Sequence, residues 1–244
     1  FRVALKEGVG FFLRASGLAA LIWSINAKRR VTIVVYHNPD PSTLNRHLEY
    51  LSKRFSFVTL SQVGRAIRRG SFEDLPEYPF VLTLDDGYKE NADLAPVLRE
   101  KGVIPTIFLC SQLVGTKRWF WWSVIKKSDS GARKKISSLK NLPNDHRLAW
   151  LSSELGFDPT LEYAKRQVLS VGELMSLSDV VEYGAHTRFH PILTQCDDSE
   201  CRLEIGGSKT ELKEMLGRTI PHFCYPNGDF SNREKKIVVE SGFD

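Results

Sequence analysis

Hydrophobic positions along the chain keep two alternating rhythms. Dense runs of β-branched, aliphatic and aromatic residues occur at 31–36 (VTIVVY), 57–60 (FVTL), 80–84 (FVLTL), 105–110 (PTIFLC), 180–185 (VVEYGA) and 222–226 (HFCYP), and each reads as a strand. Between them apolar residues return at helical spacing: Leu44, Leu48 and Leu51, then Leu94, Val97 and Leu98, then Leu203, Leu212 and Leu216. Ser170 followed by Glu173 forms a capping box and predicts a short helix ahead of the 180–185 strand. Strand followed by helix, repeated, predicts an α/β fold built on a parallel sheet or barrel. From Lys117 to about Thr160 the rhythm loosens into KRWFWWSVIKK and a Lys/Ser-rich run, the pattern of an insertion with short helices of its own. No internal repeat or low-complexity tract interrupts the domain, which runs from about residue 31 to 244.

Residues 1–30 are expected to form a separate N-terminal helical segment. Within it VGFFLRASGLAALIWSINAKRR is apolar but broken by Arg14, so each piece falls short of the roughly 20 residues a spanning helix needs. It reads either as a helix packed on the domain or as an amphipathic helix lying on a membrane surface. The basic run lies beyond the apolar part and no small-residue cleavage site follows, so a cleaved signal is not expected. A cytoplasmic or membrane-peripheral location is the corresponding expectation, and the absence of an initial Met leaves room for upstream residues.

Composition narrows the function classes. With 244 residues, 42% hydrophobic and 11% aromatic, the chain can bury a large core and is not disordered. The net charge of +5 is spread over short clusters (AKRR 27–30, RAIRR 65–69, ARKK 132–135), without a nucleic-acid-binding motif, so no nucleic-acid partner is expected. Cys110, Cys196, Cys201 and Cys224 lack CxxC spacing and read as reduced thiols.

Candidate chemistry lies at the ends of three of the strands. FVLTLDDGYKEN (80–91) places Asp85 and Asp86 at a strand end before Gly87. Strand carboxyl ends converge on one mouth in a parallel α/β fold. By themselves the two acids fit a helix cap as well as a site. YGAHTRFHPILTQ (183–195) adds His186 and His190 after another strand, and Pro191 disfavours helix at His190, so the pair shares a loop. Two imidazoles and one carboxylate make a three-ligand divalent site with open positions, leaving the second carboxylate as a base. HFCYPNGDFS (222–231) ends a third strand in a turn.

Together these stretches resemble the polysaccharide deacetylase family, the NodB-homology or carbohydrate esterase family 4 enzymes. Its TFDDG motif is matched by Thr83 to Gly87, its H-(S/T)-x-x-H-P motif by His186 to Pro191, and its third motif by Phe223-Cys224-Tyr225-Pro226-Asn227-Gly228, similar to the FxYPxG form of the exopolysaccharide-type deacetylases. The resemblance implies a distorted (β/α) barrel and hydrolysis of N-acetyl groups on N-acetylhexosamine units of a glycan, either a polysaccharide or its lipid-linked precursor. It implies Asp85 as general base; Asp86, His186 and His190 as ligands of a divalent metal, zinc first among them; and Thr187 steadying the ligand loop. Tyr225 and Asn227 would line the substrate and oxyanion region, with a backbone N–H near Asn227 as donor. The family's usual L-x-H acid has no match before Asp244. The Val35-Tyr36-His37 stretch resembles that motif moved to the front, which implies His37 as the acid.

Cys224 stands where the family often carries an Arg orienting the base, so the partner of Asp85 is open. RWFWW (118–122) reads either as a sugar-stacking platform or as the core of the insertion. Two other functions use the same features. A two-His-one-carboxylate iron enzyme shares the ligands but has no need of Asp85. A catalytically silent glycan-binding domain shares the fold but has no need of base or acid.

Overall fold

The computed structural model describes residues 30–128 and 131–244. Six strands form one parallel sheet that curls as a half-barrel: β1 (Thr32–Tyr36), β2 (Ser56–Phe57), β3 (Pro79–Leu84), β4 (Thr106–Leu109), β5 (Glu182–Ala185) and β6 (His222–Phe223). The order is β1-β3-β4-β5-β6, with β2 pairing the first residues of β3. This is the expected parallel α/β architecture, a distorted (β/α) barrel.

β3 is the hinge of the design. All six of its residues are buried, with β1 and β4 pairing on either side, which is why the sequence there is apolar at every position but Thr83 instead of alternating. In β1 the burial alternates, as an edge strand with one open face requires, and Ile33 and Val35 are exposed.

The helices cover the sheet through the residues that the spacing singled out. In α1 (Pro41–Leu51) Asp40 accepts a hydrogen bond from the Thr43 amide at 2.9 Å, and Leu44 and Leu48 are fully buried. α2 (Leu60–Arg69) begins at a capping box made by Thr59 and Gln62. That box is why the run 57–60 yields only a two-residue strand: Thr59 caps a helix instead of extending the sheet. A 3₁₀ turn (Lys89–Leu94) leads into α3 (Ala95–Lys101). α4 (Trp121–Ser128), α5 (Ala132–Leu139) and α6 (Asn144–Leu155) lie between β4 and β5 and enclose a second apolar cluster containing Trp121, Val124, Ile125, Leu139, Leu151 and Phe157.

The Ser170–Glu173 capping box opens α7 (Val171–Leu177) as expected. β5 starts later than position 180, because the Val180 and Val181 amides still bond back to Leu177 at the end of α7. In α8 (Asp198–Leu216) the buried stripe is Cys201, Ile205, Ser208, Leu212 and Leu216. Leu203, expected on this face, is 55% exposed, since two residues from Cys201 and Ile205 places it across the helix. α9 (Asn232–Glu240) closes the described chain. No described helix is long and apolar enough to cross a membrane. The membrane-surface reading of residues 1–30 falls almost wholly on positions outside the described ones.

Candidate active site

The carboxyl ends of β1, β3, β5 and β6 open on a cavity of about 870 Å³. The backbone at the end of β3 separates the two acids. The Asp85 amide still donates to the Tyr36 carbonyl in the sheet ladder at 2.9 Å, and then Asp86 and Gly87 both enter the left-handed region, at φ 71° and 63°. Gly87 is required there, because a Cβ would lie 2.5 Å from Leu109 Cδ2. The two side chains therefore leave toward different partners. Neither caps the following 3₁₀ turn, whose N-cap residue Tyr88 makes no side-chain capping bond.

Asp86 faces the histidines. Its Oδ1 lies 3.3 Å from His190 Nε2 and 3.7 Å from His186 Nε2, and all three residues are buried. His186 Nδ1 lies 2.8 Å from the Cys224 carbonyl, an acceptor that fixes the proton on Nδ1 and leaves the Nε2 lone pair pointing at Asp86. Burial drives His186 down to about 3, helped by His190 against the pull of Asp86. For Asp86 burial pushes upward, but the facing His190 and then the other nearby imidazoles outweigh it and bring the carboxyl to about 2. The site thus holds one carboxylate and a neutral imidazole at His186.

The loop carrying the histidines is held at both ends. Thr187 and His190 sit at φ 66° and 61°, a costly conformation for residues with a Cβ. Thr187 Oγ1 donates to the His186 carbonyl and accepts from the His190 amide at 3.0 Å. Glu204, buried on α8, accepts both the Arg188 and Phe189 amides on one oxygen, at 2.8 and 3.0 Å. Glu211 ties Arg188 Nε at 2.8 Å to Ser111 Oγ at 2.6 Å.

These donors suit a divalent metal. Asp86 Oδ1 is buried without a hydrogen-bond partner, and it lies with one nitrogen of each histidine in a cluster whose atoms are all within 4.8 Å of one another. Asp85, His186 and Cys224 meet the same distance criterion. The first set is the better one: Cys224 is held as a neutral thiol by burial and by the Asp85 charge, so it is a poor ligand.

Asp85 stands next to these ligands, one carboxylate oxygen within 4.8 Å of a His186 nitrogen, but its hydrogen-bond partner is a different side chain. Cys224 Sγ donates to its Oδ2 at 3.6 Å, which answers the question of its partner: a thiol stands beside the carboxylate where an Arg was expected. Burial raises Asp85 to about 6, the Asp86 charge adds to this, and His37 and the thiol oppose it. His37 lies at the end of β1 on the same cavity, its carbonyl held by Asn91 Nδ2 at 3.1 Å. Tyr225 and Asn227 line the cavity from the turn after β6, where Asn227 adopts φ 62°. All the expected site residues thus meet in one place, Thr187 from beneath the ligand loop.

The RWFWW stretch divides between its two readings. Phe120 and Trp121 are buried in the apolar clusters, Trp121 and Trp122 both line the cavity, and the Trp122 ring lies 4.5 Å from that of His190. Residues missed by the sequence reading also line the site. Tyr88 follows the DDG turn, its phenol pushed up by burial and then by the Asp86 charge. Lys126 and Lys140 reach the cavity from α4 and the end of α5. Glu204 gave no signal, because its role depends on a contact with residues 15 and 16 positions away.

Solved structures share the fold. The Streptococcus pyogenes deacetylase PplD, in complex with acetate, superposes with a TM-score of 0.60 at 14% identity, covering 88% of this chain and 82% of its own. A de-N-acetylase from Aggregatibacter actinomycetemcomitans gives 0.59 at 15% identity, covering 87% and 85%. IcaB from Ammonifex degensii gives 0.59 at 19% identity, covering 87% and 81%. No curated protein sequence shows a significant match. The sequence profile described as polysaccharide deacetylase matches residues 73–244, well over half of the chain and all three motif regions. On that match, the chain belongs to the polysaccharide deacetylase family, hydrolases acting on N-acetyl amide bonds.

Proposed function

We propose that this chain removes acetyl groups from N-acetylhexosamine units of a glycan, with Asp86, His186 and His190 holding a divalent metal, Asp85 as general base and His37 as general acid. The observation that carries the reading is the split between adjacent carboxyls. Asp86 is drawn down to about 2 beside two imidazoles, whereas Asp85 is lifted to about 6 by burial. One is built to stay anionic and the other to exchange a proton near neutrality. An iron enzyme with the same three donors would have no use for the second, perturbed acid, and a silent binding domain would need neither.

A divalent ion bound by these donors, zinc being the first expectation, would polarise the acetamide carbonyl and acidify a water molecule. Asp85 then takes a proton from the attacking water, its carboxylate steadied by the Cys224 thiol. Asn227, on the turn facing the cavity, offers its backbone N–H to the carbonyl oxygen as negative charge develops there. His37 delivers a proton to the departing nitrogen, so that one amide and one water become a free amine and acetate. Tyr225 lines the sugar side of the cavity and Thr187 keeps the ligand loop in register. The acetate bound to the Streptococcus pyogenes relative is consistent with that product.

The test is acetate release from N-acetylglucosamine oligomers. Chelation is expected to abolish it and added divalent metal to restore it. Full activity in protein shown by elemental analysis to be metal-free would overturn the reading.

A further inference from the structure

Two lysines on the cavity have no part in that reaction. Trp122 lies against His190, and Lys126 is one helical turn further along α4. Four residues of helix advance about 6 Å, so Lys126 lines the same cavity one turn beyond the Trp122 ring that meets His190. Lys140 crosses the mouth from the other side, and its ammonium donates to the side-chain carbonyl of Asn227. Asp229 bonds the amide nitrogen of that same Asn227, beyond the cavity wall. Among the described residues the lysines that form ion pairs are Lys89, Lys101 and Lys236; Lys126 and Lys140 form none. Residues 117–140 as a whole hold eight Lys and Arg against one Asp.

The charge balance favours an anion. Asp85 and Asp86 are the acids that line the cavity, and a divalent cation would neutralise both, leaving two ammonium groups uncompensated in a partly enclosed mouth. No Arg lines the cavity, so recognition there falls to ammonium groups, which bind phosphate as point charges.

We propose that the cavity takes an N-acetylhexosamine bearing a phosphate or diphosphate, with Lys126 and Lys140 as its phosphate ligands. This rests on the deacetylase reading and sharpens its substrate class. The phosphate could come from a phosphodiester in a polymer or from a diphosphate-linked lipid carrier, and both share the chemistry that the lysines recognise.

The experiment compares kcat/KM for acetate release by the metal-loaded protein on three probes: N-acetylglucosamine 1-phosphate, polyprenyl-diphosphate-linked N-acetylglucosamine in detergent, and the neutral N-acetylglucosamine tetramer. At least one phosphorylated probe is expected to exceed the tetramer about tenfold, the order of one well-placed charged contact, and added salt should erode the preference. Preference for the lipid-linked probe assigns the lipid source, and preference for both phosphorylated probes alike assigns the bare phosphate. The Lys126→Gln, Lys140→Gln double variant should lose that preference about tenfold or more, while Lys236→Gln, which lowers the overall charge away from the cavity, should keep it. Equal turnover of phosphorylated and neutral probes, or a preference unchanged in the double variant, overturns the inference. Calorimetric binding of N-acetylglucosamine 1-phosphate to the Asp85→Asn variant separates the two readings. Lysine-dependent binding with no turnover of any probe by the unmutated protein would refute deacetylation and leave phosphate recognition standing. Absent or lysine-independent binding refutes phosphate recognition.

Discussion

Glu204 offers a way to perturb the metal loop without touching a ligand. One of its carboxylate oxygens accepts two consecutive loop amides, Arg188 and Phe189, between His186 and His190, and the loop needs that support because Thr187 and His190 sit in the left-handed region. Glu204→Leu removes the acceptor and strands two buried N–H groups, each worth about 1–3 kcal/mol. The expected cost is therefore about 2–6 kcal/mol in urea denaturation. Metal affinity, read by competition with a chromophoric chelator, should fall about 10–100-fold, as when a ligand loses its support.

Glu204→Gln keeps an oxygen in the same place and isolates the charge. Burial raises the Glu204 carboxyl from 4.5 to about 7 against the pull of the two amides. The folded protein therefore holds this proton more tightly than the unfolded chain, and stability falls as pH rises from about 4.5 to about 7. At about 1.4 kcal/mol per pH unit the site contributes a decline of about 3 kcal/mol over that window. Glu204→Gln should lack that decline and bind metal nearly as well as the unmutated protein. If Glu204→Leu binds metal with unchanged affinity, or if Glu204→Gln and the unmutated protein lose stability in parallel across the window, Glu204 does not hold the loop as described.

Other expectations follow from the same geometry. Gly87→Ala must place a Cβ at φ 63° and 2.5 Å from Leu109 Cδ2. A left-handed Ala costs about 1–2 kcal/mol and the crowding about 1–3, so the urea midpoint should drop by the equivalent of about 2–5 kcal/mol. In metal-free protein Asp85, raised from 3.8 to about 6, should make stability fall as pH rises through that range, and Asp85→Asn should flatten the slope there. Cys224→Ala removes a donor that lowers the Asp85 pKa, so the acid limb of the rate profile should move to higher pH, while Cys224→Ser should stay close to the unmutated profile.

Much of the scaffold was legible because burial on both faces writes itself into sequence. The buried run of β3, apolar but for Thr83, led directly to the doubled acid at its end, and Pro191 correctly kept the two histidines off a helix. Local capping was less visible where it competed with an apolar pattern: Thr59 belongs to a β-branched run, yet its hydroxyl starts a helix. Leu203 misled because an apolar residue on a long surface helix need not face the core, and the stripe is set by Cys201 and Ile205. The contacts that complete the site were beyond reach for another reason. Cys224 meets Asp85 across 139 positions and Lys140 meets Asn227 across 87, and such pairings follow from how the strands converge rather than from any local spacing.

The division of labour between Asp85 and Asp86 is tested most directly by measuring acetate release and bound metal together on Asp85→Asn and His186→Ala. Asp85→Asn should keep its metal and lose turnover by about 10²-fold or more, the scale of general-base catalysis, whereas His186→Ala should lose both. Full activity in Asp85→Asn, or metal retained at unmutated affinity by His186→Ala, would contradict the assignment of base and ligand at this site.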